Sequence, residues 1–171
     1  MYKYISYVWL MVVVLVAQIF LLDNISIHLW LRPMIFPLVI LLLPMEWRAL
    51  WVMLIALLVG LLMDISLGGA GLYVASLLPL ALLRSTLMYL ATNRVVEASD
   101  QTSLLSRLSL RQLMTYLALA LLLHHALFFL LETLSLAHPL RLVATILFST
   151  LLSTVVAWPI VRIFVGKVLG R

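Results

Sequence analysis

The stretch "GLLMDISLGGAGLYVASLLPL", Gly60–Leu80, carries one carboxylate, Asp64, in an otherwise apolar run. An ionisable group inside a membrane span is costly, so by default it marks a functional site or an internal pair. Gly60 precedes Asp64 by four residues on the same helical face, where glycine lets another helix approach closely. Three glycines that follow favour a tight turn: Gly68, Gly69 and Gly71. The stretch therefore predicts two helices packed side by side, with a carboxylate between them.

The composition around this stretch predicts an all-α integral membrane protein. Of 171 residues, 66% are hydrophobic and only 10% are charged, against about 25% charged residues in soluble domains. We expect a single transmembrane domain over residues 1–171 with no metal or cofactor, since the absence of cysteine excludes thiolate metal sites and disulfides. The net charge of +5 is interpreted as a signal of membrane topology and not of nucleic-acid binding.

Apolar runs separated by short polar breaks predict a bundle of about six transmembrane helices. The predicted spans are 4–22, 33–45, 48–66, 71–90, 111–131 and 140–165. The second is short for a bilayer core of about 30 Å and contains Pro33, Pro37 and Pro44. We expect it to be tilted, broken or only partly inserted.

Six spans place both termini on the same side, and the basic residues favour the cytoplasmic side of a bacterial inner membrane. Arg32 and Arg141 would then lie outside, with Arg84 inside a span. The remaining basic residues lie at the cytoplasmic ends: Lys3, Arg48, Arg94, Arg107, Arg111, Arg162, Lys167 and Arg171.

Polar residues of four spans are predicted to share one layer of the bilayer, at depths counted with about 1.5 Å per helical residue. They are Gln18, Asp64, Arg84, His124 and His125. One interpretation is a structural staple in which Asp64 pairs with Arg84. The other is a polar cavity, open to the outside, that binds a ligand. Adjacent histidines diverge by about 100° on a helix, so we expect one to face the bundle and one the interface, without a shared metal.

The last span carries small residues at every fourth position, which predicts a face for close helix packing. These residues are Thr145, Ser149, Ser153 and Ala157. None of the catalytic motifs sought is present in the sequence, neither G-x-S-x-G nor H-E-x-x-H. We therefore expect a protein that is not an enzyme.

The stretch from Arg32 to Leu80 resembles the rod shape-determining protein MreD family. The resemblance rests on "RP" at Arg32–Pro33 opening a short second span, on "GLLMD" at Gly60–Asp64, and on the glycine turn followed by "GLYVASLLPLALL". The second half of the chain matches only in span count and hydropathy. Many relatives carry an acidic residue directly after the proline, where this chain has Met34.

The resemblance implies a non-enzymatic scaffold of the bacterial elongation machinery that contributes to cell shape and peptidoglycan synthesis. Its implied partners are an MreC-like single-span protein, the MreB filament, a RodA-type glycosyltransferase and a class B penicillin-binding transpeptidase. The family fold looks similar to the substrate-binding subunits of energy-coupling-factor transporters, so the alternative is a vitamin-type binding subunit.

Overall fold

The structure is a computed structural model that describes residues 2–23, 31–93, 105, 108–134 and 138–168. The described elements are helical: α1 (Tyr2–Val16), continued by a π-helical stretch (Ala17–Leu22), then α2 (Leu38–Leu41), α3 (Ala49–Leu67), α4 (Leu72–Thr92), α5 (Leu110–Thr133) and α6 (Pro139–Val168). This confirms an all-helical architecture.

Four helices, α3 to α6, are long and apolar enough to cross a membrane, which is consistent with a multi-pass membrane protein. They coincide with the predicted spans 48–66, 71–90, 111–131 and 140–165. Large apolar side chains project outward from them, among them Leu58 (64% exposed) and Leu140 (87% exposed). Apolar outer faces of this kind suit a lipid environment.

The second predicted span does not form a spanning helix. In the segment 33–43 only Leu38–Leu41 is helical, yet every residue of it is buried. Proline explains the broken course, because Pro37 precedes the single helical turn and Pro44 follows the segment, and neither supplies an N–H group. Residues 33–43, named the buried segment below, therefore run as largely irregular backbone inside the helical bundle.

Helices α3, α4, α5 and α6 pack in sequential order, each against the next. Short connections favour antiparallel packing of α3 with α4 and of α5 with α6. The first helix, α1, contacts α2 and α6, and its π-helical end reaches α3. The buried segment thus lies among helices from both halves of the chain.

Gly60 lies at a close approach of α3 to α4. A Cβ atom built on it would lie 2.8 Å from Val74 Cα and 3.1 Å from Val74 N, which are backbone atoms that have little freedom to shift. Close backbone contact of this type is the usual role of small residues between membrane helices. Gly60 therefore sets the separation of α3 and α4.

We predict that Gly60→Ala lowers the thermal stability of the purified protein in detergent, because the new methyl group forces α3 away from α4. Overpacking of this kind costs about 1–3 kcal/mol. Gly166→Ala is the matched control, since a Cβ there meets nothing within 4 Å, and it should match or exceed wild-type stability. Equal melting temperatures for Gly60→Ala and wild type would show that the helices do not meet at Gly60.

Candidate functional site

Gln18, in the π-helical stretch that continues α1, holds the start of the buried segment. Its side chain is buried, its Nε2 donates to the Pro33 carbonyl at 3.2 Å, and its Oε1 accepts from the Ile35 N–H at 2.7 Å. One amide thus satisfies a backbone acceptor and a backbone donor two residues apart. A buried backbone group without a partner costs about 1–3 kcal/mol, so Gln18 stabilises the irregular course.

The small-residue stripe of α6 binds the same part of the segment. The Met34 N–H donates to Ser153 Oγ at 2.8 Å, and the Arg32 N–H donates to Ser149 Oγ at 3.3 Å. Ser149, Ser153 and Ala157 are fully buried, whereas Thr145 is half-buried. The stripe faces inward, and two of its hydroxyl groups are hydrogen-bond acceptors as well as small packing residues.

His125 extends this hydrogen-bond chain into α5. Its Nδ1 lies 2.7 Å from the Leu121 carbonyl, and its Nε2 lies 3.2 Å from Ser153 Oγ. The carbonyl only accepts, so we assign the proton to Nδ1. The Ser153 hydroxyl then donates to Nε2 while it accepts from Met34. A neutral His125 therefore completes a continuous chain from the buried segment to the α5 backbone.

Arg84 of α4 holds the other end of the segment. Its Nη1 donates to the carbonyls of Ile40 (3.2 Å) and Leu43 (3.3 Å), and its Nη2 donates to the Pro44 carbonyl at 2.7 Å. The side chain is only 4% exposed. The five N–H donors of a guanidinium suit a cluster of carbonyls, of which those of Ile40 and Pro44 also accept backbone N–H groups. Arg84 is therefore a multiple donor to backbone carbonyls.

Tyr116 of α5 supplies one more donor at this end. Its hydroxyl donates to the Leu41 carbonyl at 3.3 Å, and the ring is fully buried. Tyr116 is not among the residues predicted from the sequence. The three prolines near the segment were the available signal, because a proline-broken apolar run leaves carbonyls that other elements must satisfy.

Asp64 caps the first turn of α4. Its Oδ1 accepts from the N–H groups of Gly71 (2.9 Å) and Tyr73 (3.2 Å), and its Oδ2 accepts from Val74 at 3.0 Å. The Asp64 carbonyl also accepts from the N–H groups of Gly68 and Gly69 at the end of α3. A carboxylate at a helix N-terminus is favoured by the free amides and by the helix dipole. Asp64 therefore closes both ends of the α3–α4 turn.

The predicted pairing of Asp64 with Arg84 is wrong. Each side chain forms its hydrogen bonds with backbone groups. Asp64 accepts from N–H groups in the first turn of α4, and Arg84 donates to carbonyls at the end of the buried segment. The physical reason is that unsatisfied backbone groups in the bundle are strong competitors for polar side chains. The expected single polar layer is instead divided among the turn and the two ends of the segment.

The glycines after Asp64 shape this cap. Gly68 (φ 71°) and Gly71 (φ 94°) adopt left-handed backbone conformations at the end of α3 and the start of α4. A Cβ atom on Gly69 would collide with Asp64 Oδ1 and with the Tyr73 ring. The turn therefore leaves room for the carboxylate at this point.

His124 and His125 are both fully buried, so the expectation that one faces the interface is wrong. His124 sits in an aromatic cluster, with ring centroids 5.0 Å from Phe36 and 6.4 Å from Phe128. Neither of its ring nitrogens has a hydrogen-bond partner among the residues that the structure describes. The packing against Phe36 places His124 against the buried segment, as a neighbour of the residues that hold it.

One ion pair ties the start of the segment to the end of α5. Arg32 Nη1 lies 2.7 Å from Glu132 Oε1, with side chains 52% and 36% exposed. At this exposure the pair contributes about 0–1 kcal/mol. It places Arg32, which is predicted to lie outside, at the same end of the bundle as the α5 C-terminus.

The polar side chains of the arrangement bind backbone groups of the chain. Among the described residues, no group of three or more His, Asp or Glu side chains could hold a metal ion. Gln18, His125 and Ser153 have their polar atoms bonded to the chain itself. These bonds favour the structural interpretation of the polar residues over the ligand cavity.

We predict that Arg84→Met severely destabilises the protein, because three carbonyls lose a charged donor, each bond being worth about 1.5–3 kcal/mol. The measurement is the melting temperature in detergent by size-exclusion chromatography after heating. The melting temperature of Arg84→Lys should lie between those of Arg84→Met and wild type, since a lysine keeps the charge but cannot reach three carbonyls in the same geometry. Arg162→Met is the control at an exposed position. An Arg84→Met variant as stable as wild type would contradict the assigned role.

We predict that Asp64→Ala lowers the free energy of unfolding by about 1–2 kcal/mol through loss of the helix cap. Asp64→Asn should recover part of this loss, because its amide oxygen still accepts from an N–H group. Unfolding in mixed micelles titrated with sodium dodecyl sulfate gives the values. In a double-mutant cycle with Arg84→Lys, the effects should add within about 0.5 kcal/mol. A larger coupling would restore the direct pairing of Asp64 with Arg84.

Comparison with known proteins finds no matching family model, no similar curated protein and no similar solved structure. The site consists of a capped helical turn at Asp64 and of the buried segment. The segment is held at one end by Gln18 and the α6 serines and at the other by Arg84 and Tyr116.

Proposed function

We propose that this chain is a non-enzymatic membrane scaffold of the bacterial cell-elongation machinery, of the kind that the MreD family provides. The proposal rests on the contacts of Gly60 and Asp64, which belong to the sequence motif that resembles this family. Gly60 and Asp64 both act on Val74 of α4, one through close backbone approach and the other through a hydrogen bond to its N–H. The motif thus fixes the geometry of a helix pair.

A rigid helix pair suits a protein whose task is to position partners. A scaffold needs a fixed surface, and here the polar groups of the membrane interior serve that rigidity. The proposed partner is an MreC-like single-span protein, whose helix would pack on the outside of the bundle. Wall-synthesis proteins would associate with this complex: the MreB filament, a RodA-type glycosyltransferase and a class B penicillin-binding transpeptidase.

The transporter alternative requires polar side chains free to contact a small molecule. Within the described part of the chain, the ring nitrogens of His124 are buried without a hydrogen-bond partner. The other histidine, His125, and the glutamine Gln18 are bonded within the chain. This distribution supports the scaffold over a vitamin-type binding subunit.

Co-purification tests the proposal. The tagged full chain is isolated from its native membrane in mild detergent, and its proteins and small molecules are identified by mass spectrometry. We expect a single-span protein with a coiled coil and an extracytoplasmic domain, together with wall-synthesis enzymes. Recovery of ATPase subunits with a bound small molecule would overturn the scaffold and favour the transporter.

The same experiment on variants links the helix pair to the partner. We predict that Asp64→Ala retains several-fold less partner than wild type at equal expression, because the start of α4 is no longer fixed. Gly166→Ala, in open space on α6, should retain wild-type amounts. Equal partner recovery from Asp64→Ala and wild type would separate the capped turn from partner binding.

A further inference from the structure

An open groove lies at the beginning of α3, away from the polar residues described above. It has a volume of about 470 Å³ and is lined by Trp47, Arg48, Trp51 and Ile55. Arg48 directly precedes the first residue of the helix, Ala49. By the basic-residue pattern, this end of the bundle is predicted to lie at the inner membrane surface.

Arg48 differs from Arg84 and Arg32 in having a guanidinium without a bonding partner in the described part of the chain. Arg84 is buried on three carbonyls, and Arg32 pairs with Glu132. The Arg48 side chain is exposed and, like those of Arg111 and Arg162, forms no hydrogen bond or ion pair within the described residues. Of these three arginines, Arg48 is the one that lines the groove. An unpaired guanidinium beside a groove is a donor suited to a phosphate group.

The walls of the groove change from polar to apolar along α3. Trp51 is 59% exposed, and Ile55 follows one helical turn later on the same face. Exposed Leu54 and Leu58 continue the apolar surface toward the middle of the helix. Tryptophan is typical of the membrane interface, because its ring is apolar and its indole N–H seeks a polar partner.

We propose that this groove binds an anionic phospholipid, with the phosphate on Arg48 and an acyl chain along Trp51 and Ile55. Charge complementarity selects the headgroup, and the apolar wall selects a lipid over a soluble anion. Glu46, which is exposed two residues earlier, does not line the groove. A single basic residue near a membrane surface is worth about 1 kcal/mol toward anionic lipid, which corresponds to about a fivefold preference.

Quenching of tryptophan fluorescence by brominated lipid tests this proposal directly. Trp9→Phe, Trp30→Phe and Trp158→Phe leave Trp47 and Trp51 as the only reporters. The full chain is placed in phosphatidylcholine vesicles that contain either brominated phosphatidylglycerol or brominated phosphatidylcholine at equal mole fractions. We expect half-maximal quenching at an about fivefold lower mole fraction of the brominated phosphatidylglycerol.

Variants of Arg48 assign the preference to the groove. Arg48→Gln should abolish it, Arg48→Lys should keep most of it, and Arg162→Gln, an exposed cation outside the groove, should leave it unchanged. Equal quenching by both lipids in the protein with native Arg48 would overturn the proposal, as would a preference that survives Arg48→Gln. Addition of inorganic phosphate should not reverse the quenching, and a reversal would assign the groove to a soluble anion.

Discussion

The N–H and C=O groups of residues 33–43 lie inside a bundle of apolar helices, where water is not available as their partner. Counted along the helices, Arg84 lies about 12 Å from the end of α4 and Ser153 lies about 21 Å from the start of α6. Irregular backbone at such depth is tolerated in membrane proteins only when protein groups satisfy it. Three helices supply those groups, and the first helix adds Gln18 from its π-helical end. The position of the segment and the position of the helices therefore depend on one another.

The helix pair formed by α3 and α4 adds a second constraint. Gly60 permits close approach, and Asp64 fixes the point at which α4 begins. Arg84, three turns further along α4, then donates to the end of the buried segment. Helix α4 is thus held at two separate places, by the carboxylate at its start and by the guanidinium three turns later. These two attachments are the physical basis of the proposed scaffold, and the first explains why an apolar chain keeps a carboxylate at this position.

The sequence predicted the long helices well because continuous apolar runs measure transfer into lipid directly. It also predicted that two helices pack side by side near Gly60, with Asp64 between them and a glycine turn joining them. It assigned the wrong partner to Asp64, because opposite charges on adjacent spans suggest a pair, whereas the demands of free backbone amides and carbonyls do not appear in a residue count. The role of Tyr116 could not be predicted for the same reason. Its hydroxyl donates to the carbonyl of Leu41, in a proline-broken segment more than seventy residues earlier.

Hydrogen–deuterium exchange of the backbone amides between Met34 and Leu43 tests the central claim most directly, with the wild-type protein in detergent or nanodiscs and mass spectrometry as the readout. The amides of Met34 and Ile35 donate to side chains, and those from Leu38 onward donate within the segment. The account predicts protection comparable to that of α4 and α5, with slow exchange across the whole segment. Exchange as fast as that of an exposed loop would contradict it, since the segment would then be solvated and not held by the surrounding helices.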